Sequence, residues 1–419
     1  MSIKKSIQTI IFGVILMVFA CAALSACGDA GTYATQKNFI TIGCVCPLSG
    51  NLAGYGEGSL EMEEAAVKAI NESGGVYIDT LERKLKVRFV IADSASTEAG
   101  ATAAAEQLLK EENVDLMICS SGAETALPVA AACEAKKIPF FSVNCENGAW
   151  IAAGLHNYAF NCSYDNRTRL EAFHDVWQER KIDSIGFLAA QSADADRFAA
   201  DLSAFCDEND LNLADPGRLD MASGKYGTQV KALAKAKAKA VICYMTPEEF
   251  SALWAEGSLK SVEYDMLILV NNHFLMSEAQ KITPGAEIKE FYTTACWDKT
   301  YPFTSSLTDE ESAEIARYWD NQFLSQSSEI TGFKHANVEL AISAVKLAMA
   351  LDADTIRSAA KSLNENTVLG LVDFDETTGS SVLPCSVLKW TYEPRTVSWN
   401  KELISHTQLG EDVEFEEDE

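Results

Sequence analysis

Phe39-Ile-Thr-Ile-Gly-Cys-Val-Cys46, stopped by Pro47, opens the stretch that decides the fold, because its apolar run reads as a strand. The period then changes. From Ser59 onward Met62, Ala65, Ala66, Ala69 and Ile70 recur at the spacing of one helix face, and Ser73-Gly74-Gly75 ends that helix. Leu85, Val87, Phe89 and Ile91 alternate as a second strand, and Ala101, Ala104, Ala105, Leu108 and Leu109 form a second helix face. Residues 114–119 and 138–143 are short apolar strands with a helix between them. A β-α-β-α-β run of this kind predicts a parallel sheet covered by helices.

The pattern restarts after about residue 160. Leu170, Phe173 and Trp177 share a helix face, as do Phe198, Leu202 and Phe205, while 184–190, 240–245 and 266–270 read as buried strands. After residues 291–297 come helical stretches at 309–324, 336–351 and 355–363, then two strand-like segments near 368–374 and 385–392. The fold class expected is therefore α/β, with two doubly wound parallel-sheet lobes in tandem.

The chain has 47% hydrophobic and 23% charged residues, which argues against overall disorder. It carries 61 acidic against 34 basic residues, a formal charge of −27, so a phosphate backbone would repel it and nucleic acid is not an expected partner. Lys4 and Lys5 precede an apolar stretch that ends in Leu24-Ser25-Ala26-Cys27, the layout of a secretory signal peptide over residues 1–26. Small residues directly before Cys27 resemble the lipobox of bacterial lipoproteins. That resemblance implies cleavage before Cys27, a lipid on its thiol and a membrane-anchored, extracytoplasmic protein, at the cell surface or in the periplasm. An uncleaved anchor is the alternative. Residues 27–38 suit a flexible leash, and the acidic run at the end of the chain reads as a tail.

Several further segments carry a second resemblance. Ile42-Gly-Cys-Val-Cys-Pro-Leu-Ser-Gly50 followed by Tyr55-Gly56, Ala65-Ala-Val-Lys-Ala-Ile-Asn-Glu-Ser-Gly-Gly75, Ser120-Ser121-Gly122 through Pro128, Ile138-Pro-Phe-Phe-Ser142, and Gly370-Leu-Val-Asp-Phe-Asp375 before Gly379 occur in order. Together they resemble solute-binding proteins of the branched-chain amino acid type, the leucine-binding-protein-like members of the type I periplasmic binding proteins. The resemblance implies two lobes joined by a three-segment hinge, with 39–160 plus 275–364 in lobe 1, 161–274 plus 365–402 in lobe 2, and 403–419 as the tail. It implies a small ligand, an amino acid or related amide, held between the lobes as they close. It also implies an ABC permease as membrane partner, no enzyme activity and no cofactor. A ligand-sensing module of the same fold, reporting to a receptor, is the alternative function.

Open parallel sheets bind ligands beyond the C-terminal ends of their strands, so the loops there hold the candidates. Ser120, Ser121 and Thr125 follow a strand and begin a helix. In the resembled family this serine segment meets a ligand carboxylate, and a helix N-cap is the alternative role. Asn144, Cys145 and Glu146 follow the next strand; Glu146 could grip an ammonium group or be a solvated loop acid. Tyr55 resembles a cleft-wall aromatic, or is a turn residue between Gly54 and Gly56. In the second lobe the candidates are Asp194, Thr246, Asn271 and Asn272. There the loop Gln191-Ser-Ala-Asp194 lacks the family's tyrosine, and Thr246 stands in a region where the family often has an aromatic.

Other chemistries fit poorly. Cys44 and Cys46 lack a CxxC or His pair to complete a metal site, and they read, like most of the twelve cysteines, as small buried thiols. The five histidines are scattered, and there is no G-x-S-x-G elbow, P-loop or G-x-G-x-x-G.

Overall fold

The structure, a computed structural model, describes residues 37–270 and 276–409. The expected signal peptide over residues 1–26, Cys27, Asn271, Asn272 and the residues from 410 onward lie outside the described residues. The first run of elements is β1 (Phe39–Cys46), α1 (Ser59–Glu72), β2 (Val76–Ile78), β3 (Arg83–Asp93), α2 (Glu98–Glu111), β4 (Leu116–Cys119), α3 (Ala123–Lys136), β5 (Phe140–Val143), α4 (Asn147–Ala153) and β6 (Ala159–Ser163). The second is α5 (Asn166–Arg180), β7 (Ser184–Ala189), α6 (Ala193–Glu208), β8 (Asn212–Ala214), α7 (Gly227–Ala236), β9 (Ala240–Tyr244), α8 (Pro247–Glu256), β10 (Met266–Val270) and β11 (Glu290–Ala295). The last is α9 (Ser312–Phe323), α10 (Glu329–Ala348), α11 (Ala353–Ala360), β12 (Asn364–Thr367), β13 (Gly370–Asp373), β14 (Ser380–Val382), β15 (Ser386–Glu393) and β16 (Ser398–Ser405). One-turn helical segments between these are left unlabelled.

The strands form two seven-stranded sheets, ordered β14-β6-β5-β4-β1-β3-β2 and β16-β15-β11-β10-β9-β7-β8. The inner strands pair in parallel, and only β2, β15 and β16 run against their neighbours in these sheets. The two α/β lobes expected from the sequence are thus present. Runs such as Leu116-Met-Ile-Cys119 are buried throughout, as strands covered by helices on both faces must be.

Three chain crossings join the lobes: β6 to α5, the segment after β11, and β14 to β15. Leu383 donates its N–H to Ser163 O at 2.9 Å, and Ala295 pairs with Ser386, so the third crossing is tied to both others. Buried apolar residues are continuous across this hinge, from Ile118 in the first sheet to Ile268 in the second.

The division of the chain differs from the expected one at two strands. β11 joins the second sheet although it falls in 275–364, and β14 joins the first although it falls in 365–402. Each lobe completes its sheet with a strand from the far end of the chain, an exchange that local periodicity does not reveal. The segment near 368–374 does hold a strand, β13, but it joins neither large sheet: it pairs with β12 in a separate hairpin whose turn ends at Gly370 with φ 91°. Residues 403–405 belong to β16 rather than to a tail.

Candidate ligand cleft

A pocket lies between the lobes where strands of both sheets end. Gly122, Ala123, Asn144, Glu146 and Ala149 line it from the first lobe, and Asn166, Asp194, Arg197 and Tyr244 from the second. Each lobe contributes helix starts: α3 and α4 from one side, α5 and α6 from the other. The inner pocket holds about 20 Å³, room for one water, so a larger ligand needs the lobes to part. It shares Glu146, Asn166 and Arg197 with an outer pocket of about 300 Å³.

Three of the predicted residues, Asn144, Glu146 and Asp194, line the pocket. Asn144 is 1% exposed, and neither its amide nitrogen nor its amide oxygen has a hydrogen-bond partner. Its φ is 102°, in the left-handed half of conformational space that a side chain occupies only under strain. Ser121 and Thr125 do not line the pocket; both are buried, and both hydroxyl oxygens lack partners. They flank the start of α3, whose N-cap, Gly122, supplies no side-chain cap. A helix start left uncapped offers backbone N–H groups and positive potential to an anion.

Glu146 accepts from Gly148 N–H at 2.8 Å and Ala149 N–H at 2.9 Å, capping α4. A carboxylate has about four acceptor positions, so those two bonds leave others open toward the pocket. Asp194 sits in the first turn of α6 and pairs with Arg197 three residues on. Burial pushes the Tyr244 hydroxyl up to about 12; Arg169 and Arg197 oppose that rise, and Asp194 and Glu146 add to it. Tyr244 thus faces the pocket as a neutral donor.

The remaining predicted residues fall elsewhere. Ser120 turns its hydroxyl inward, 3.4 Å from Glu63 Oε1. Glu63 is raised to about 7 by burial, against the pull of the neighbouring Lys334. Tyr55 does not line the pocket; its side chain packs on the core, and its carbonyl accepts from Lys334 Nζ at 2.6 Å. Cys145 is fully buried behind the pocket, where burial raises its thiol well above the ordinary value. Thr246 caps α8 in a reciprocal capping box with Glu249, so its hydroxyl is already engaged. Asn271 and Asn272 lie outside the described residues.

Sequence reasoning missed Asn166, Arg197 and Tyr244. Tyr244 could have been found, since it ends a strand on the ligand side of a parallel sheet. It supplies the aromatic sought at Thr246, two residues earlier. Arg197 is one turn inside a helix, where nothing in the sequence marks it off from a solvated arginine. Among the described residues, no group of three His, Cys, Asp or Glu side chains could hold a metal, and no helix is long and apolar enough to cross a membrane.

The sequence profile of the periplasmic binding protein family matches residues 40–394. The chain belongs to this family. Solved structures agree on the fold. The branched-chain amino acid transporter substrate-binding protein LivJ from Streptococcus pneumoniae, in complex with isoleucine, superposes with a TM-score of 0.68 at 15% identity, covering 88% of this chain and 99% of that one. The leucine-binding protein LivK from Thermotoga maritima gives 0.68 at 12%, covering 87% and 99%. A solute-binding protein of an ABC transporter from Rhodopseudomonas palustris, in complex with 3,4-dihydroxybenzoic acid, gives 0.67 at 14%, covering 88% and 97%. No curated protein matches. This periplasmic binding protein therefore has the fold of ABC-transporter solute-binding proteins. Its family is extracytoplasmic, and both family and neighbours are binding proteins rather than enzymes.

Proposed function

We propose that this chain is the lipid-anchored substrate-binding protein of an ATP-driven importer, and that it closes its lobes on an amino acid or a related small amide. The observation that carries the reading is Asn144, strained, buried and unpartnered at the pocket wall. Ser121, Thr125 and the uncapped start of α3 fit a ligand carboxylate. Glu146 and Asp194 fit an ammonium group, with Arg197 restraining the excess negative charge. An aromatic acid such as 3,4-dihydroxybenzoate brings a carboxylate but no cation for these two acids, so the charge pattern favours a zwitterion. Delivery to a permease and anchoring through Cys27 complete the reading.

Calorimetry with L-isoleucine, L-leucine, other amino acids and 3,4-dihydroxybenzoate tests it. An amino acid should bind, and Ser121→Ala should weaken it by about 10- to 150-fold, the worth of one hydrogen bond to a charged group. Glu146→Gln should weaken it in the same direction. Binding of the aromatic acid alone, or amino-acid affinity unchanged in both variants, would refute the assignment. Cys27→Ala should move the protein from the membrane fraction to the soluble one.

A further inference from the structure

Cys296 and Cys385 face each other in the hinge with their sulfurs 3.3 Å apart. The β11–β15 ladder pairs Ala295 with Ser386, so Cys296 and Cys385 are directly opposite one step further on. Neither cysteine spends its N–H on the other. Cys296 N–H donates to Glu329 Oε2 at 2.9 Å, and Cys385 N–H to Gln408 Oε1 at 2.8 Å. That pattern is the non-hydrogen-bonded kind of antiparallel pair, the kind with the closer backbones, about 4.5 Å between Cα atoms. Such a spacing lies inside the range that a disulfide spans. The Tyr301 hydroxyl, 3.1 Å from Ala295 O and 2.7 Å from Ser386 Oγ, holds the two strands together one residue away. Gln408 also donates to Thr168 O at 2.7 Å, which ties the pair to the helix that follows the first crossing.

We propose that Cys296 and Cys385 are a dithiol–disulfide site that fastens two of the three interlobe crossings to each other. The proposal rests on the hinge geometry and not on the identity of the ligand. The oxidant is an external disulfide, either a low-molecular-weight one or that of a thiol–disulfide oxidoreductase. One cysteine thiolate attacks a sulfur of that disulfide and displaces one external thiol. The second cysteine attacks the mixed disulfide and displaces the other. Two protein thiols are oxidised, one external disulfide is reduced to two thiols, and the two protons pass to the leaving sulfurs. Both cysteines are buried, 2% and 1% exposed, so the exchange takes place during folding or when the hinge opens. The crossing segments are where a two-lobed protein absorbs its closure motion. A bond between Cys296 and Cys385 would let these two move only together, and it would close a loop between residues 89 apart in sequence.

The full exported chain, refolded from its reduced form in mixtures of oxidised and reduced glutathione, decides the matter. Free thiols are blocked with iodoacetamide under denaturing conditions, and the digest is read by mass spectrometry. The expected result is a cross-linked peptide joining Cys296 to Cys385, two fewer alkylated thiols, and a higher thermal midpoint that dithiothreitol reverses. Cys385→Ser, or Cys385→Ala if the serine chain does not fold, should restore alkylation of Cys296. Full alkylation of both cysteines in oxidising glutathione, a cross-link from either to another cysteine, or a linked chain with an unmoved midpoint would overturn the proposal.

Discussion

Replacing Asn144 by glycine separates a ligand residue from a structural one, because the two roles move stability and affinity in different ways. The backbone at this position holds φ 102°, which glycine adopts freely and asparagine adopts at a cost of about 1 kcal/mol. The amide is buried with both polar atoms unpartnered, and removing it relieves about 2 kcal/mol of desolvation. Against these gains, glycine loses about 1 kcal/mol through the greater freedom of the unfolded chain. Asn144→Gly should therefore stabilise the ligand-free protein by about 2 kcal/mol. At about 2–4 °C per kcal/mol for lobes of this size, the midpoint should rise by about 4–8 °C in a thermal scan. The same substitution removes a donor and an acceptor from the pocket wall, so affinity for the amino acid found by calorimetry should fall about 10- to 150-fold. A gain in stability with a loss of binding is the mark of strain kept for function. A destabilised Asn144→Gly protein that binds as well as the wild type would refute the reasoning, since Asn144 would then be a structural residue of the loop.

Two further substitutions test other parts of the argument. Thr246→Ala removes the cap of α8 and should cost about 1 kcal/mol of stability in urea unfolding, with ligand affinity unchanged; a loss of affinity would return Thr246 to the pocket. Burial pushes Glu339 up to about 7 from an ordinary 4.5, so its contribution to stability is complete below 4.5 and is lost as pH rises through 7. Glu339→Gln should thus gain on the wild type by about 2–3 kcal/mol between about pH 5 and pH 8, and an unchanged difference would show that Glu339 is a satisfied anion.

The fold was legible where burial is complete. A strand covered on both faces must be apolar along its length, so β1, β4, β5, β7, β9 and β10 stand out as short apolar runs. The unread strands lack an apolar run: β6, Ala159-Phe-Asn-Cys-Ser163, is buried throughout but carries Asn161 and Ser163. β2, β8 and β14 have three residues each. In Ser398-Trp-Asn-Lys-Glu-Leu-Ile-Ser405 the side chains are half-solvated along an antiparallel sheet edge, so β16 reads as polar coil. The exchange of β11 and β14 between lobes is a long-range choice. Nothing within either strand distinguishes the sheet it joins, and only the pairing of the folded sheets shows it.

The cleft was legible in position but not residue by residue, for a reason that lies in the chemistry. A helix cap and a ligand contact call for the same side chains at the same place, a short hydroxyl, amide or carboxylate just after a strand. Ser121, Asn144, Glu146 and Thr246 are therefore indistinguishable by type and spacing. Their hydrogen bonds separate them. Thr246 exchanges bonds with Glu249, its hydroxyl accepting from the Glu249 N–H, and it does not line the pocket. Glu146 accepts one bond from α4 at each oxygen and keeps its remaining acceptor positions. Ser121 and Asn144 make no side-chain bond at all, and they are buried where such a debt is most costly. Ranking the four by unmet bonds puts Asn144 first, Ser121 second, Glu146 third and Thr246 last. A binding protein that must hold its ligand tightly only while closed needs this gradation. The groups with no other partner gain most when the ligand arrives, and the capped ones keep the two walls in shape while it is away.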